Sequence, residues 1–125
     1  MMATTPLLRV VVLVSGRGSN LKAIAARAAY RSPLIRSYTA TKAFTFRFND
    51  GRTRLLENTN KVLKTLPYCD GLKTGTTNAS GRCLVATGAL DGRAVIVVVL
   101  KSNTPNVWKD ATKLLQWSLE RPGSF

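Results

Sequence analysis

The chain contains no histidine, only two cysteines and six carboxylic side chains among its 125 residues. Without imidazole, neither a histidine-bearing metal centre nor a Cys–His nucleophile pair can be assembled. Cys69 and Cys83 stand far apart in sequence. One disulfide between them is possible, but both fit the role of small buried apolar residues. The chain therefore calls for no cofactor and no metal.

Long hydrophobic runs are also missing. Residues 10–14 and 94–100 are the most apolar stretches, and both are too short to span a bilayer. No secretion signal is evident at the N-terminus. What remains is one small domain's worth of chain, with 45% hydrophobic residues and a mean hydropathy near zero, the composition of a folded protein. Nineteen lysines and arginines give a formal net charge of +13, which favours anionic partners. The cations are spread along the chain with no run of five or six and no basic stripe interleaved with aromatics, so nucleic acid is not favoured.

The pattern along the chain reads as α+β. Val10–Val14 is a β-branched run that stops at a glycine-rich loop, Ser15-Gly16-Arg17-Gly18-Ser19-Asn20, and Leu21–Tyr30 has alanine-rich helical composition. Arg31-Ser32-Pro33 closes that helix. Ser37–Phe48, rich in Thr, Tyr and Phe, reads as a strand that turns at Asn49-Asp50-Gly51 into residues 52–56. Residues 58–66 form a short helical or irregular piece, and Pro67–Gly71 reads as a loop leading into Leu72-Lys73-Thr74-Gly75. Gly81–Leu90 and Arg93–Lys101 form a hairpin through Asp91-Gly92. Val107–Leu119 spaces Val107, Ala111, Leu114 and Leu115 at helical intervals. The expected product is an antiparallel sheet with a C-terminal amphipathic helix packed on it.

Three blocks then acquire a shared meaning: Asn58-Thr59-Asn60-Lys61-Val62-Leu63, Asp70-Gly71-Leu72-Lys73-Thr74-Gly75-Thr76-Thr77, and Gly81-Arg82-Cys83-Leu84-Val85-Ala86-Thr87. A lone Lys-Thr-Gly is a weak triplet, but this one is flanked by matching blocks in the right order. With Asp91–Leu100 and Leu114–Trp117 they make the region from about Tyr30 onward resemble the penicillin-binding D-alanyl-D-alanine carboxypeptidases of peptidase family S11.

The resemblance implies the α/β half of the serine β-lactamase and penicillin-binding fold. It also implies acyl transfer, in which a serine attacks the peptide bond between two D-alanines and water then releases the acyl-enzyme. Lys73 would supply positive potential beside the nucleophile and bind the terminal carboxylate. Thr74, Thr76 and Thr77 would shape the carboxylate pocket, with the Thr76 N–H as the strand's oxyanion donor. Gly75 would let the substrate backbone approach. The implied partners are a peptidoglycan stem peptide ending in D-Ala-D-Ala, β-lactam antibiotics as inhibitors, and the helical subdomain that carries the family's upstream Ser-x-x-Lys and Ser-x-Asn motifs. The implied location is extracytoplasmic. Thr59 stands where some members have an arginine implicated in carboxylate binding.

The opening segment reads differently. Arg9–Ile24 is similar to the start of glycinamide ribonucleotide formyltransferase, in which Gly18, Ser19 and Asn20 would cradle a substrate phosphate at a helix N-terminus. Formyl transfer itself needs a histidine that this chain lacks. The same loop spells Ser19-Asn20-Leu21-Lys22, a Ser-x-x-Lys at a helix start, making Ser19 a candidate nucleophile with Lys22 one turn on. The chain accordingly divides into residues 1–29, a strand-loop-helix segment of different apparent origin, and residues 30–125, a partial carboxypeptidase catalytic domain.

Overall fold

The structure, a computed structural model, describes residues 8–13 and 19–121, with side chains described from Ile24 to Arg121. The elements in chain order are β1 (Leu8–Leu13), α1 (Ser19–Tyr30), α2 (Pro33–Thr39), β2 (Ala43–Arg47), β3 (Thr53–Glu57), α3 (Val62–Thr65), β4 (Cys69–Thr77), β5 (Gly81–Leu90), β6 (Arg93–Ser102) and α4 (Asn106–Glu120). Four strands form one sheet in the order β1-β6-β5-β4, and β2 and β3 form a separate two-stranded ribbon.

The β5–β6 hairpin is the centre of the sheet. Asp91 and Gly92 both adopt positive φ, +51° and +75°, the condition for the tight turn whose twist matches that of the strands it joins. Every residue from Ala94 to Leu100 in β6 is buried, as befits a strand covered on both faces. The period of two divides this run between two layers. Val95, Val97 and Val99 join the core beneath α4, while Ala94, Ile96, Val98 and Leu100 meet Ala26 and Tyr30 of α1 on the opposite face.

Helix α4 buries Val107, Ala111, Leu115 and Leu119. This four-residue repeat forms a single apolar stripe laid across β5 and β6. Val62 and Leu63 of α3 complete that layer.

The antiparallel sheet with its terminal helix is thus present, with β1 added at the far edge parallel to β6, from Leu8 opposite Ala94 to Leu13 opposite Val99. Two local expectations are corrected. Residues 37–39 are helical rather than extended, because Pro33 opens α2 and the Ser32 hydroxyl accepts a hydrogen bond from the Ile35 N–H at 3.3 Å. Proline at the first helical position and a serine cap outweigh the β-propensity of the residues that follow. The loop expected over 67–71 is shorter, since β4 begins at Cys69, with a register shift between Cys69 and Gly71. Both cysteines are free, Cys69 buried and Cys83 half-buried, in keeping with small apolar residues.

Asp70 ties the layers together. Its carboxylate accepts one hydrogen bond from the Tyr30 hydroxyl of α1 at 2.8 Å and another from the Thr87 hydroxyl of β5 at 2.7 Å. Burial first, and the neighbouring Asp70 carboxylate second, push the Tyr30 phenol well above its ordinary value near 10. The native state therefore keeps a proton that the unfolded chain releases. This contribution to stability is full below about pH 10 and is lost as pH rises beyond it. We expect urea midpoints to fall between about pH 9 and pH 11, and to fall less steeply in Tyr30→Phe; identical slopes in the two proteins would contradict this assignment.

A second expectation concerns the α4 layer. Leu115→Ala, at a fully buried position, is expected to cost about 3 kcal/mol in chemical denaturation. Leu34→Ala, at a position 65% exposed, is expected to stay within about 0.5 kcal/mol of the parent.

Candidate active site

Strand β4 lies at the edge of the sheet, paired with β5 on one side only. The register sets Lys73 opposite Val85, Thr74 opposite Leu84, Gly75 opposite Cys83 and Thr76 opposite Arg82. Its first residues are buried or half-buried, whereas Lys73, Gly75, Thr76 and Thr77 are exposed. A strand edge of this kind presents backbone N–H and C=O groups to whatever extended chain lies beside it.

A groove of about 560 Å³ runs along β4. Residues 72–77 form one wall, and the small side chains Ala25, Ala26 and Ala29 of α1 face them from the other. Cys83 and Ser80 lie at the same groove. The Lys73 ammonium donates to the Thr74 carbonyl and forms no ion pair with any described carboxylate.

The rest of the site explains how an edge strand is held still. Asn58 donates from its side-chain amide to the Thr39 and Thr41 carbonyls at 3.1 and 3.0 Å, fixing the end of β3 to the end of α2. Asn60 is buried and donates to the Gly71 carbonyl at 2.8 Å. Each asparagine also accepts from the backbone N–H two residues on, Asn60 N–H to Asn58 at 2.9 Å and Val62 N–H to Asn60 at 3.1 Å. These are two consecutive side-chain turns of the kind asparagine favours. Between them Thr59 is exposed, and its hydroxyl meets that of Thr74, a groove residue, at 2.7 Å.

Two glycines of β4 differ in why they are glycine. A Cβ on Gly71 would come within 2.7 Å of the Thr39 hydroxyl and 3.0 Å of the Thr87 hydroxyl, so packing inside the chain forbids a side chain there. Gly75 has no positive φ, and a Cβ there would meet nothing within 4 Å. Nothing within the described residues requires glycine at 75.

Lys73, Thr74, Gly75, Thr76 and Thr77 all line the groove. Ser19 and Asn20 open α1, but their side chains and that of Lys22 lie outside the described residues, as does the whole of Gly18. Among the described residues no three metal-ligating side chains converge, and no helix is long and apolar enough to cross a membrane. Sequence reasoning missed the Thr59–Thr74 contact, the Asp70 carboxylate's grip and the place of Cys83 at the groove. The Asn-x-Asn spacing was the available signal for the first.

Comparison with known proteins agrees with this geometry. The family model described as D-alanyl-D-alanine carboxypeptidase matches residues 20–104. The D-alanyl-D-alanine carboxypeptidase DacB2 of Mycobacterium tuberculosis is 30% identical over 95 residues, covering 73% of this chain and 32% of that protein. A mutant of a Streptomyces DD-transpeptidase has a TM-score of 0.67 at 31% identity, over 78% of this chain and 40% of that one. Penicillin-binding protein D2 of Listeria monocytogenes, solved with cefotaxime bound, has a TM-score of 0.60 at 28% identity, over 78% of this chain and 38% of that one. The chain thus spans about a third of the length of the curated relative. With the family model matched across both the asparagine turns and the edge strand, this chain belongs to the D-alanyl-D-alanine carboxypeptidase family.

Proposed function

We propose that β4 is the substrate-binding wall of a serine-type D-alanyl-D-alanine carboxypeptidase that trims peptidoglycan stem peptides outside the cytoplasm. The observation that carries this reading is Gly75, a glycine on an open strand edge that no contact within the described residues demands. A stem peptide ending in D-Ala-D-Ala would lie along β4 as an added strand, and a side chain at 75 would stand in its path. The unpaired Lys73 ammonium would hold the terminal carboxylate, with the Thr74, Thr76 and Thr77 hydroxyls as further donors.

The chemistry is acyl transfer. A serine hydroxyl adds to the penultimate D-alanine carbonyl and loses its proton to a neighbouring base. The tetrahedral oxyanion takes a hydrogen bond from the Thr76 N–H, and the C–N bond breaks as the base hands its proton to the leaving nitrogen, releasing the terminal D-alanine. Water then cleaves the ester. Within this chain the candidate nucleophile is Ser19, with Lys22 one turn further along α1; the helical subdomain of the family is the alternative source. A β-lactam would enter by the same route, and the cefotaxime-bound state of the Listeria relative supports that reading.

Binding can be separated from folding at Gly75. We expect Gly75→Ala to weaken binding of a diacetyl-Lys-D-Ala-D-Ala peptide strongly while leaving the denaturation midpoint nearly unchanged, because a Cβ at 75 meets nothing within 4 Å. Lys73→Ala is expected to weaken the same peptide by roughly 10- to 100-fold, the worth of a charge-assisted hydrogen bond. Unaltered affinity in both variants, measured by calorimetry, would remove β4 from the binding wall. For the nucleophile, a fluorescent penicillin should label the chain covalently and fail to label Ser19→Ala. Labelling that survives this substitution, or no labelling of the parent chain, rules out Ser19.

A further inference from the structure

The Thr59 and Thr74 hydroxyls lie 2.7 Å apart, and either oxygen can be the donor. Neither hydroxyl has another partner among the described residues. A hydroxyl carries one proton and two acceptor lone pairs, so the pair spends one proton on its own bond and keeps the other free. The direction of the bond decides where that free proton sits. With Thr74 as donor it sits on Thr59, an exposed residue outside the groove lining. With Thr59 as donor it sits on Thr74, a half-buried residue of the lining.

A ligand at Lys73 sets that direction. Successive side chains leave a strand on opposite faces, yet the Lys73 ammonium folds over to the Thr74 carbonyl, and both residues line one groove. The ammonium forms no ion pair with any described carboxylate. A carboxylate drawn to it has acceptors only, and the Thr74 hydroxyl is beside it to donate. Thr74 then accepts from Thr59, and two hydroxyls in series strengthen the contact with the charged end. Thr59 is kept in place by its neighbours. The Asn58 and Asn60 side-chain oxygens accept from the Asn60 and Val62 N–H groups, and their amides donate to the Thr39, Thr41 and Gly71 carbonyls. Both asparagines are thus engaged with the backbone, and the hydroxyl between them meets the groove residue.

We propose that Thr59 is a positioning residue for the ligand's terminal carboxylate: its hydroxyl donates to Thr74 and turns the Thr74 proton toward that anion. The inference rests on the reading of β4 as the wall that binds a D-Ala-D-Ala terminus. It adds a residue outside the wall that sharpens the wall's preference for a charged end.

Calorimetry with two peptides tests this. One is diacetyl-Lys-D-Ala-D-Ala; the other carries ethylamine in place of the terminal D-alanine, which keeps both peptide bonds and removes only the carboxylate. The parent chain should bind the acid more tightly than the ethylamide. Thr59→Val, which exchanges the hydroxyl for a methyl group of similar size, should weaken the acid by roughly 5- to 10-fold and leave the ethylamide within about 2-fold. Thr59→Ser, which keeps the hydroxyl, should hold the acid within about 2-fold of the parent. Position 59 is exposed, so urea midpoints of both variants should match that of the parent. Equal losses for the two peptides in Thr59→Val overturn the proposal, by marking a displaced wall. Acid affinity that survives Thr59→Val, or a loss shared by Thr59→Ser, overturns it as well. A parent that binds acid and ethylamide alike shows, before any variant is made, that the reading of β4 fails and this inference with it.

Discussion

Strand β4 has a neighbour on one side only, and the whole site depends on how that half-paired strand is kept in place. An unpaired edge is prone to fray or to pair with another chain. Here the restraint is concentrated at the buried end. The Asp70 carboxylate is held by hydroxyls from α1 and β5, the Asp70 carbonyl accepts from Thr39 of α2 at 2.9 Å, and the Gly71 carbonyl is held by the buried Asn60 amide. Three elements and the loop that carries Asn60 converge on two consecutive residues. From Lys73 onward the strand keeps its pairing with β5 and is otherwise open, so it is positioned without being covered.

The asparagine turns serve the same end by another route. Because each Asn side chain satisfies the backbone N–H two residues later, the segment between β3 and α3 is fixed with almost no regular structure. The residue between them is exposed. That Thr59 arrives within 2.7 Å of Thr74 follows from the anchoring of Asn58 and Asn60, and the contact orients a hydroxyl of the cleft wall.

The sheet and α4 were legible because their signals are local and strong. Residues 94–100 are apolar without interruption, Asp91-Gly92 is a turn dipeptide, and 107–119 repeats at helical spacing. The helix over 33–39 was hidden by β-forming residues such as Ile35, Tyr38 and Thr39, and only the Ser-Pro pair announced it. The parallel addition of β1 beside β6 could not be read, since pairing between strands more than eighty residues apart leaves no local pattern. At the site, the Lys-Thr-Gly wall was visible as a motif in context. Asp70 was quoted only as part of that motif, because its partners Tyr30 and Thr87 are forty and seventeen residues distant.

The two faces of the sheet are built to different standards. Beneath α4, valines and leucines at or near zero exposure interlock across β5 and β6, and truncating any of them opens a cavity. Above, α1 offers alanines, and the space that larger side chains would have filled becomes the groove beside Lys73. Gly75 completes the contrast. Gly71 is glycine because the protein's own threonines crowd it, whereas Gly75 faces open space at the strand edge. A residue with no positive φ, at which an added Cβ would meet nothing within 4 Å, gains nothing within the described residues from being glycine. Its bare edge is what the proposed binding wall requires.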